Sequence, residues 1–243
     1  MTRHTVSKSS VLLALVSTLA LSTPLCVRAE IGNMFGKKKE ASATAADAGL
    51  SLDSFSKSSN DAAGQVLAAR IMFLSAQAKL MEALGLKTDA VVKASEALRA
   101  KEGAATKAGD KVDALKDSSK TTAEANKQMD EALAKSQNLS DESKAKFAEG
   151  SGNFIEGVLL EKAQIENISR LTEQGKTLAA SAGIMEKMKV AGMVKPVTTL
   201  ASMVPGDVKE GTTTLGKIMK FARSQNITNI PNSDKATASL GEL

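Results

Sequence analysis

Apolar positions recur along most of this chain at spacings of three and four residues, the period of one helix face. From Asn60 onward, Leu67, Ile71, Leu74, Ala78 and Met81 step by four, three, four and three. Val66, Phe73 and Leu80 add a second stripe, and after Asp61 only Arg70, Lys79 and Glu82 are charged. A helix apolar on two faces belongs in the middle of a bundle. Gly85 supplies its stop signal.

Thr88 then reads as the N-cap of a more polar helix. Its face carries Val91, Leu98, Ala105 and Val112 every seven residues and continues to Leu115. Gly103 and Gly109 weaken or bend that helix. Thr121 and Glu124 have the spacing of a capping box, which predicts a third helix through Met129, Ala132 and Leu133. Ser140 caps a fourth, long helix whose stripe runs Phe147, Phe154, Val158, Ile165, Ile168, Leu171, Leu178 and Met185, with breaks expected near Gly150–Gly152 and Gly183. Pro196 and Pro205 are expected to limit the helices around them. A last helix is predicted over 207–225, and 227–243 reads as a loose tail.

No stretch alternates apolar and polar residues in the strand manner between turns, and no repeat of solenoid length is present. The seams are built from Ala, Leu, Val and Met rather than rings, which favours close, near-parallel helix packing. The expected fold is all-α: an elongated bundle of about four to six helices, without a sheet.

The first residues follow a different logic. Residues 1–10 carry Arg3 and Lys8 but no acid, an apolar run follows over 11–25, and Val27 and Ala29 precede Glu30. That layout predicts a cleavable secretory signal over 1–29. The apolar run is too short for a spanning helix, and Pro24 interrupts its end. Leu25 before Cys26 is bulky where a lipoprotein signal needs a small residue. Residues 30–59 read as a flexible Ala/Ser/Lys-rich leader with an apolar tip (Ile31, Met34, Phe35) ahead of Lys37, Lys38 and Lys39. The bundle domain is expected over 60–226.

Cleavage changes the charge picture. The formal net charge of the whole chain is +5, but Arg3, Lys8 and Arg28 leave with the signal, so the mature chain stands at +2 with 29 basic and 27 acidic residues. That mild excess, with only six Phe as aromatics, argues against a nucleic-acid binder.

Candidate chemistry is sparse. The only His and the only Cys, His4 and Cys26, lie in the signal, and Trp and Tyr are absent. The side chains that most readily move protons or attack near neutral pH are therefore missing, so an enzyme is not expected. Di-iron carboxylate chemistry, which uses Glu-x-x-His pairs, falls with the histidines.

Gly211, Gly216 and Lys217 have the spacing of a phosphate loop, but Ile218 replaces the Mg²⁺-binding hydroxyl and no strand precedes. The two glycines read instead as close-packing positions in a helix, and no nucleotide is expected. Ser54-x-x-Lys57 and Ser143-x-x-Lys146 match a serine–lysine dyad without its companion motifs. Glu156, Glu161, Glu166 and Glu173 read as a solvated helix face rather than a glycosidase pair. Asn138, Asn167 and Asn226 open Asn-x-Ser/Thr sequences.

The C-terminal third is rich in methionine: Met185, Met188, Met193, Met203 and Met219. Thioethers can hold Cu(I), but they more often fill a core or form an adaptable apolar surface. Met185, Met188, Met193 and Met203 are therefore the candidate binding face, with no cofactor and no metal.

The expected function is an exported, non-enzymatic helical protein that binds or scaffolds in the cell envelope, in the periplasm or, alternatively, outside the cell. The expected partner is a protein or a second copy of the chain. The alternative is a lipid or membrane-interacting bundle, as lipid carrier or membrane-active protein. The alternative rests on the less charged C-terminal half and on the Lys37–Lys39 cluster beside Phe35.

Overall fold

The computed structural model describes residues 51–135 and 138–240, the side chains of residues 184, 239 and 240 excepted. The expected signal over 1–29, residues 30–50 of the expected leader, and residues 136–137 and 241–243 lie outside the described residues. Of those described, 88% are helical, in six helices without a strand. The helices are α1 (Leu52–Ala83), α2 (Asp89–Ala104), α3 (Ala108–Lys135), α4 (Asp141–Ser181), α5 (Ile184–Ser224) and α6 (Ser233–Leu240). The all-α bundle expected from periodicity is present.

Helix α1 is the central one. Sixteen of its 32 residues are buried, more than a single amphipathic face can supply, and α2, α3, α4 and α5 all pack against it. Both stripes read from the sequence enter the core: Val66, Leu67, Leu74 and Leu80 are fully buried, and Phe73 and Met81 nearly so. Paired contacts set the directions. Phe73 lies beside Gly157 and Leu80 beside Gly150, so α1 and α4 are antiparallel. Gln77 meets Asn126 while Lys111 reaches Asn60, so α1 and α3 are parallel. Phe147 stacks near Phe221, at 5.3 Å between ring centroids, while Gly175 lies against Val194, so α4 and α5 form an antiparallel hairpin. Each arm of that hairpin has 41 residues, about 60 Å of helix.

Two glycines on α4, seven residues apart, let the backbones of α1 and α4 approach closely. A Cβ on Gly157 would stand 3.3 Å from the backbone N and Cα of Phe73, and one on Gly150 would stand 3.1 Å from the backbone N of Leu80. Backbone cannot swing aside as a side chain can, so these positions require the missing Cβ. The gap they leave is used by rings: Phe73 and Phe154 are 4.3 Å apart between centroids.

Capping explains several ends. After α1, Gly85 has φ +71°, its N–H bonds to Glu82 O, and Leu86 N–H bonds to Met81 O at 2.8 Å. That is the double hydrogen-bond pattern of a left-handed helix stop. Asn226 does the same after α5 with φ 56°, and Ile227 N–H reaches Ala222 O at 2.9 Å. Ser140 caps α4 by accepting from Ser143 N–H. Thr88 stands at the N-cap of α2 without a side-chain hydrogen bond.

Elsewhere the structure departs from the sequence reading. Helix α1 starts at Leu52, inside the expected leader, where Ser51 and Ser54 make a reciprocal capping box and Phe55 is buried. Thr121 and Glu124 cap nothing: both lie inside α3, whose Leu115, Ser118, Thr122, Ala125 and Met129 keep one face buried without interruption. Val112 and Leu115 belong to α3, because the chain breaks at 105–107. Helix α4 runs unbroken through Gly150 and Gly152, and Ala182 and Gly183 alone separate it from α5. Pro196 and Pro205 lie inside α5 rather than at helix ends, so the helix predicted over 207–225 is its second half. Each proline forfeits one ladder bond, but burial of Val190, Val197, Leu200, Val204 and Val208 along the same helix outweighs that loss. The expected tail is also docked, as far as Ala236. Ile227, Ile230 and Ala236 are buried, and Pro231 packs where Gly152 leaves room.

These glycines give a paired expectation. Gly157→Ala should destabilise the bundle by about 1–3 kcal/mol, because the methyl is forced onto backbone. Gly216→Ala, at a helical site with nothing within 4 Å of the added methyl, should stabilise by about 0.5–1 kcal/mol. Urea unfolding of both variants tests the contrast, and equal effects would refute the close approach.

Candidate functional site

A cluster of three charges lies inside the bundle. Arg70, in the middle of α1, is 1% exposed. Its Nε donates to Glu161 Oε1 of α4 at 3.1 Å, and its Nη2 donates to Asp207 Oδ2 of α5. Glu161 is 2% exposed and Asp207 is half-buried. Arg70 Nη1 has no hydrogen-bond partner among the described residues. One cation thus serves two carboxylates, and the trio ties three helices at one level.

Burial is the largest influence on all three groups. It raises the Glu161 carboxyl, reinforced by repulsion from Asp207 and only partly opposed by Arg70. It likewise raises Asp207, opposed by Arg70 and reinforced by Glu210. For Arg70 burial works against the charge, yet the attraction of both carboxylates leaves its value raised. Burial outweighs the attraction of Arg70 at both carboxyls, which is why both sit above their ordinary range.

A second polar chain crosses about two helical turns farther along α1. Gln77 is fully buried and its Nε2 donates to Thr122 O at 3.1 Å and Asn126 Oδ1 at 2.7 Å. Asn126 Nδ2 then donates to Glu210 Oε1 at 2.9 Å. The chain ends in a polar cleft of about 380 Å³ between α3 and α5, where Asp130 pairs with Lys217.

The residues singled out from sequence fall as follows. Ser54 is part of the α1 cap, and Ser143 is held by Ser140 while Lys146 pairs with Glu82 at 2.8 Å. Neither serine is activated by its lysine. Gly211, Gly216 and Lys217 lie on continuous helix, so no phosphate loop exists there. Gly211 is a close-packing position, 2.9 Å from Val158 once a Cβ is added; Gly216 is not. The solvated-face reading of the glutamates is wrong for Glu161, which is the buried partner of Arg70. Glu166 and Glu173 are exposed.

The four candidate methionines do not form one surface. Met185 and Met188 are 93% and 86% exposed on the first turns of α5. Met193 and Met203 are half-buried against the core, and Met203 Sδ lies 3.9 Å from Ser119 Oγ of α3. Met219 is buried. Five residues separate Met188 from Met193, which turns the second well away from the first; Met203 lies farther along, where α3 covers α5.

Beside Met188 the outer face of α5 continues into an open groove of about 630 Å³, with Ala179 of α4 on its far side. Ala191 and Val194 give it apolar walls, and Lys187 and Lys195 rim it. Among the described residues no group of three or more His, Cys, Asp or Glu is placed to hold a metal ion, and no helix is long and apolar enough to cross a membrane. Compared with family models, curated proteins and solved structures, the chain matches none of them.

Arg70→Met should cost about 3–5 kcal/mol, because Glu161 is left buried beside an unneutralised Asp207. The triple change Arg70→Met, Glu161→Leu, Asp207→Leu should recover most of that loss. Denaturant midpoints check this, and a mild single variant would mean the trio is not buried in solution.

The raised carboxyls also carry a sign. Their stabilising proton uptake is complete below the ordinary values, 4.5 for Glu161 and 3.8 for Asp207, and is lost as pH rises through the raised folded values. The stability difference between wild type and Asp207→Asn should therefore move in favour of the wild type as pH falls from neutral toward the ordinary carboxyl values. A difference that moves the other way would show that Arg70 holds both carboxyls below their ordinary range.

Proposed function

We propose that this chain is an exported, non-enzymatic helical protein that binds a partner, or scaffolds an assembly, in the cell envelope. The observation that carries the reading is the exposure of Met185 and Met188. Every other large apolar side chain whose exposure is described is at least partly covered, apart from Val92 at 39%. Two bare thioether chains at one end of a closed bundle are what an adaptable contact surface requires. The missing His, Cys, Trp and Tyr after residue 29 support the non-enzymatic part, and the layout of residues 1–29 supports export.

A second reading has one specific support. Lys187 and Lys189 flank the exposed methionines, an arrangement that also suits an anionic bilayer surface. Flotation with vesicles separates the two.

The reading is tested in the native host. The exported protein should begin at Glu30, as intact mass will show. A photo-crosslinking residue at Met188 should yield a discrete protein adduct, whereas one at the exposed Lys93 on α2 should not. Met185→Ser with Met188→Ser should abolish adduct formation from a crosslinker at Lys187 and leave the melting temperature within about 2 °C of wild type, since neither side chain is buried. Loss of stability in step with loss of the adduct would defeat the proposal.

A further inference from the structure

We infer that the outer stripe of α5 is a docking groove for an amphipathic helix bearing acidic side chains on a partner protein. This rests on the binding reading above and deepens it by naming the chemistry of the partner.

The stripe is continuous at helical spacing. Met188, Ala191, Lys195, Thr199 and Ser202 follow one another by three or four residues, and Met185 lies one turn before Met188. From Met185 to Ser202 it is about 26 Å long, the length of a helix of about 17 residues. Over residues 187–202 the stripe borders a shallow, open groove of about 630 Å³, with Ala179 of α4 across from it.

A shallow groove between two helices receives a ridge, and a third helix is the element that presents one. Ala191, Thr199 and Ser202 are small or short, so an incoming helix can approach closely there. The thioethers of Met185 and Met188 then wrap the end that has no wall. A flat bilayer would touch the methionine tip and leave the groove unfilled, which is why a helix fits better than a membrane.

Charge decides what the helix carries. No acidic residue lines the groove, while Lys187 and Lys195, two turns apart, both do. Neither lysine has an ion-pair partner among the described residues, in contrast to Lys146, Lys176 and Lys217. Glu or Asp spaced about two turns apart along the rim of an apolar partner face would satisfy both. Such rim pairs act chiefly on selectivity between partners, while Met185, Met188, Ala191 and Val194 supply the apolar contact area.

The test uses the full mature chain and two synthetic peptides of about 18 residues, the length set by the stripe. Each peptide is a helix with a Leu/Ala face, flanked in one by Glu and in the other by Lys. The Glu peptide should bind saturably and the Lys peptide at least about tenfold more weakly. Lys187→Glu with Lys195→Glu should invert that preference. Met185→Ser with Met188→Ser should weaken both peptides without changing the preference. Circular dichroism confirms that these surface variants fold.

Equal binding of the two peptides, or no binding of either at about 1 mM, would overturn the inference. So would tighter association with vesicles of equal parts phosphatidylcholine and phosphatidylglycerol, lost in the same variants. If the peptides fail while the crosslink from Met188 in the host still forms, the binding reading stands and the acidic helix is the wrong partner. If both fail, the binding reading goes with it.

Discussion

A positive charge buried at the centre of α1 is the constraint that the rest of this fold must satisfy. Taking a guanidinium out of water costs several kcal/mol unless carboxylates meet it in good geometry. Here the carboxylates come from α4 and α5, so three helices are obliged to cross at one level. The apolar seams alone would not demand this. Ala, Leu and Val repeat along every helix, and a slide of one turn would replace one small aliphatic contact by another of similar worth. A slide of one turn past Arg70 would instead strand a bare charge. The glycines of α4 act in the same sense: Gly150 and Gly157 admit α1 only where Leu80 and Phe73 present their backbone. Charge and close approach therefore specify the register that hydrophobic burial leaves undetermined.

Much of this could be read along the chain, and what could not has physical reasons. The stripes of α1 and α4 were legible because burial acts on one helix face at a time, and Gly85, Ser140 and Gly183 were legible because helix ends have local chemistry. Thr121 and Glu124 show the limit of local chemistry: the spacing of a cap is present, but the buried face of α3 runs straight through it. Pro196 and Pro205 show the same limit from the other side, since local cost yields to tertiary burial. Asn226 was visible only as a glycosylation sequence, although its left-handed backbone is what turns the chain back so that Ile227 and Ile230 can dock.

The charged trio was the most instructive omission, because its signal is present in the sequence. Arg70 lies on the stripe of Val66, Phe73 and Leu80; Glu161 lies between Val158 and Ile165 on the stripe of α4; Asp207 follows Leu200 and Val204. Each charge interrupts an apolar stripe rather than occupying the opposite face. A single interruption is uninformative, but one cation and two anions interrupting three neighbouring stripes is a matched set. The four methionines divide for the opposite reason: composition grouped residues that helical rotation and the cover of α3 separate, and Met185 and Met188 are the two in solvent.

The two prolines of α5 have a consequence for what holds that helix together. Without amide hydrogens at positions 196 and 205, the carbonyls of Gly192 and Ala201 lack their ladder donors, so the hydrogen-bonded column is interrupted twice along its length. The helix nevertheless runs on through both gaps, so packing on its neighbours supplies what the ladder lacks. The first stretch, residues 184–195, bears the bare methionines and both rim lysines, and Pro196 at its end sits against Gly109 of α3. Buried Val190, and Val194 beside Gly175, hold that stretch to the rest of the fold. The exposed methionines thus stand on a helix fastened by its neighbours rather than by its own backbone alone.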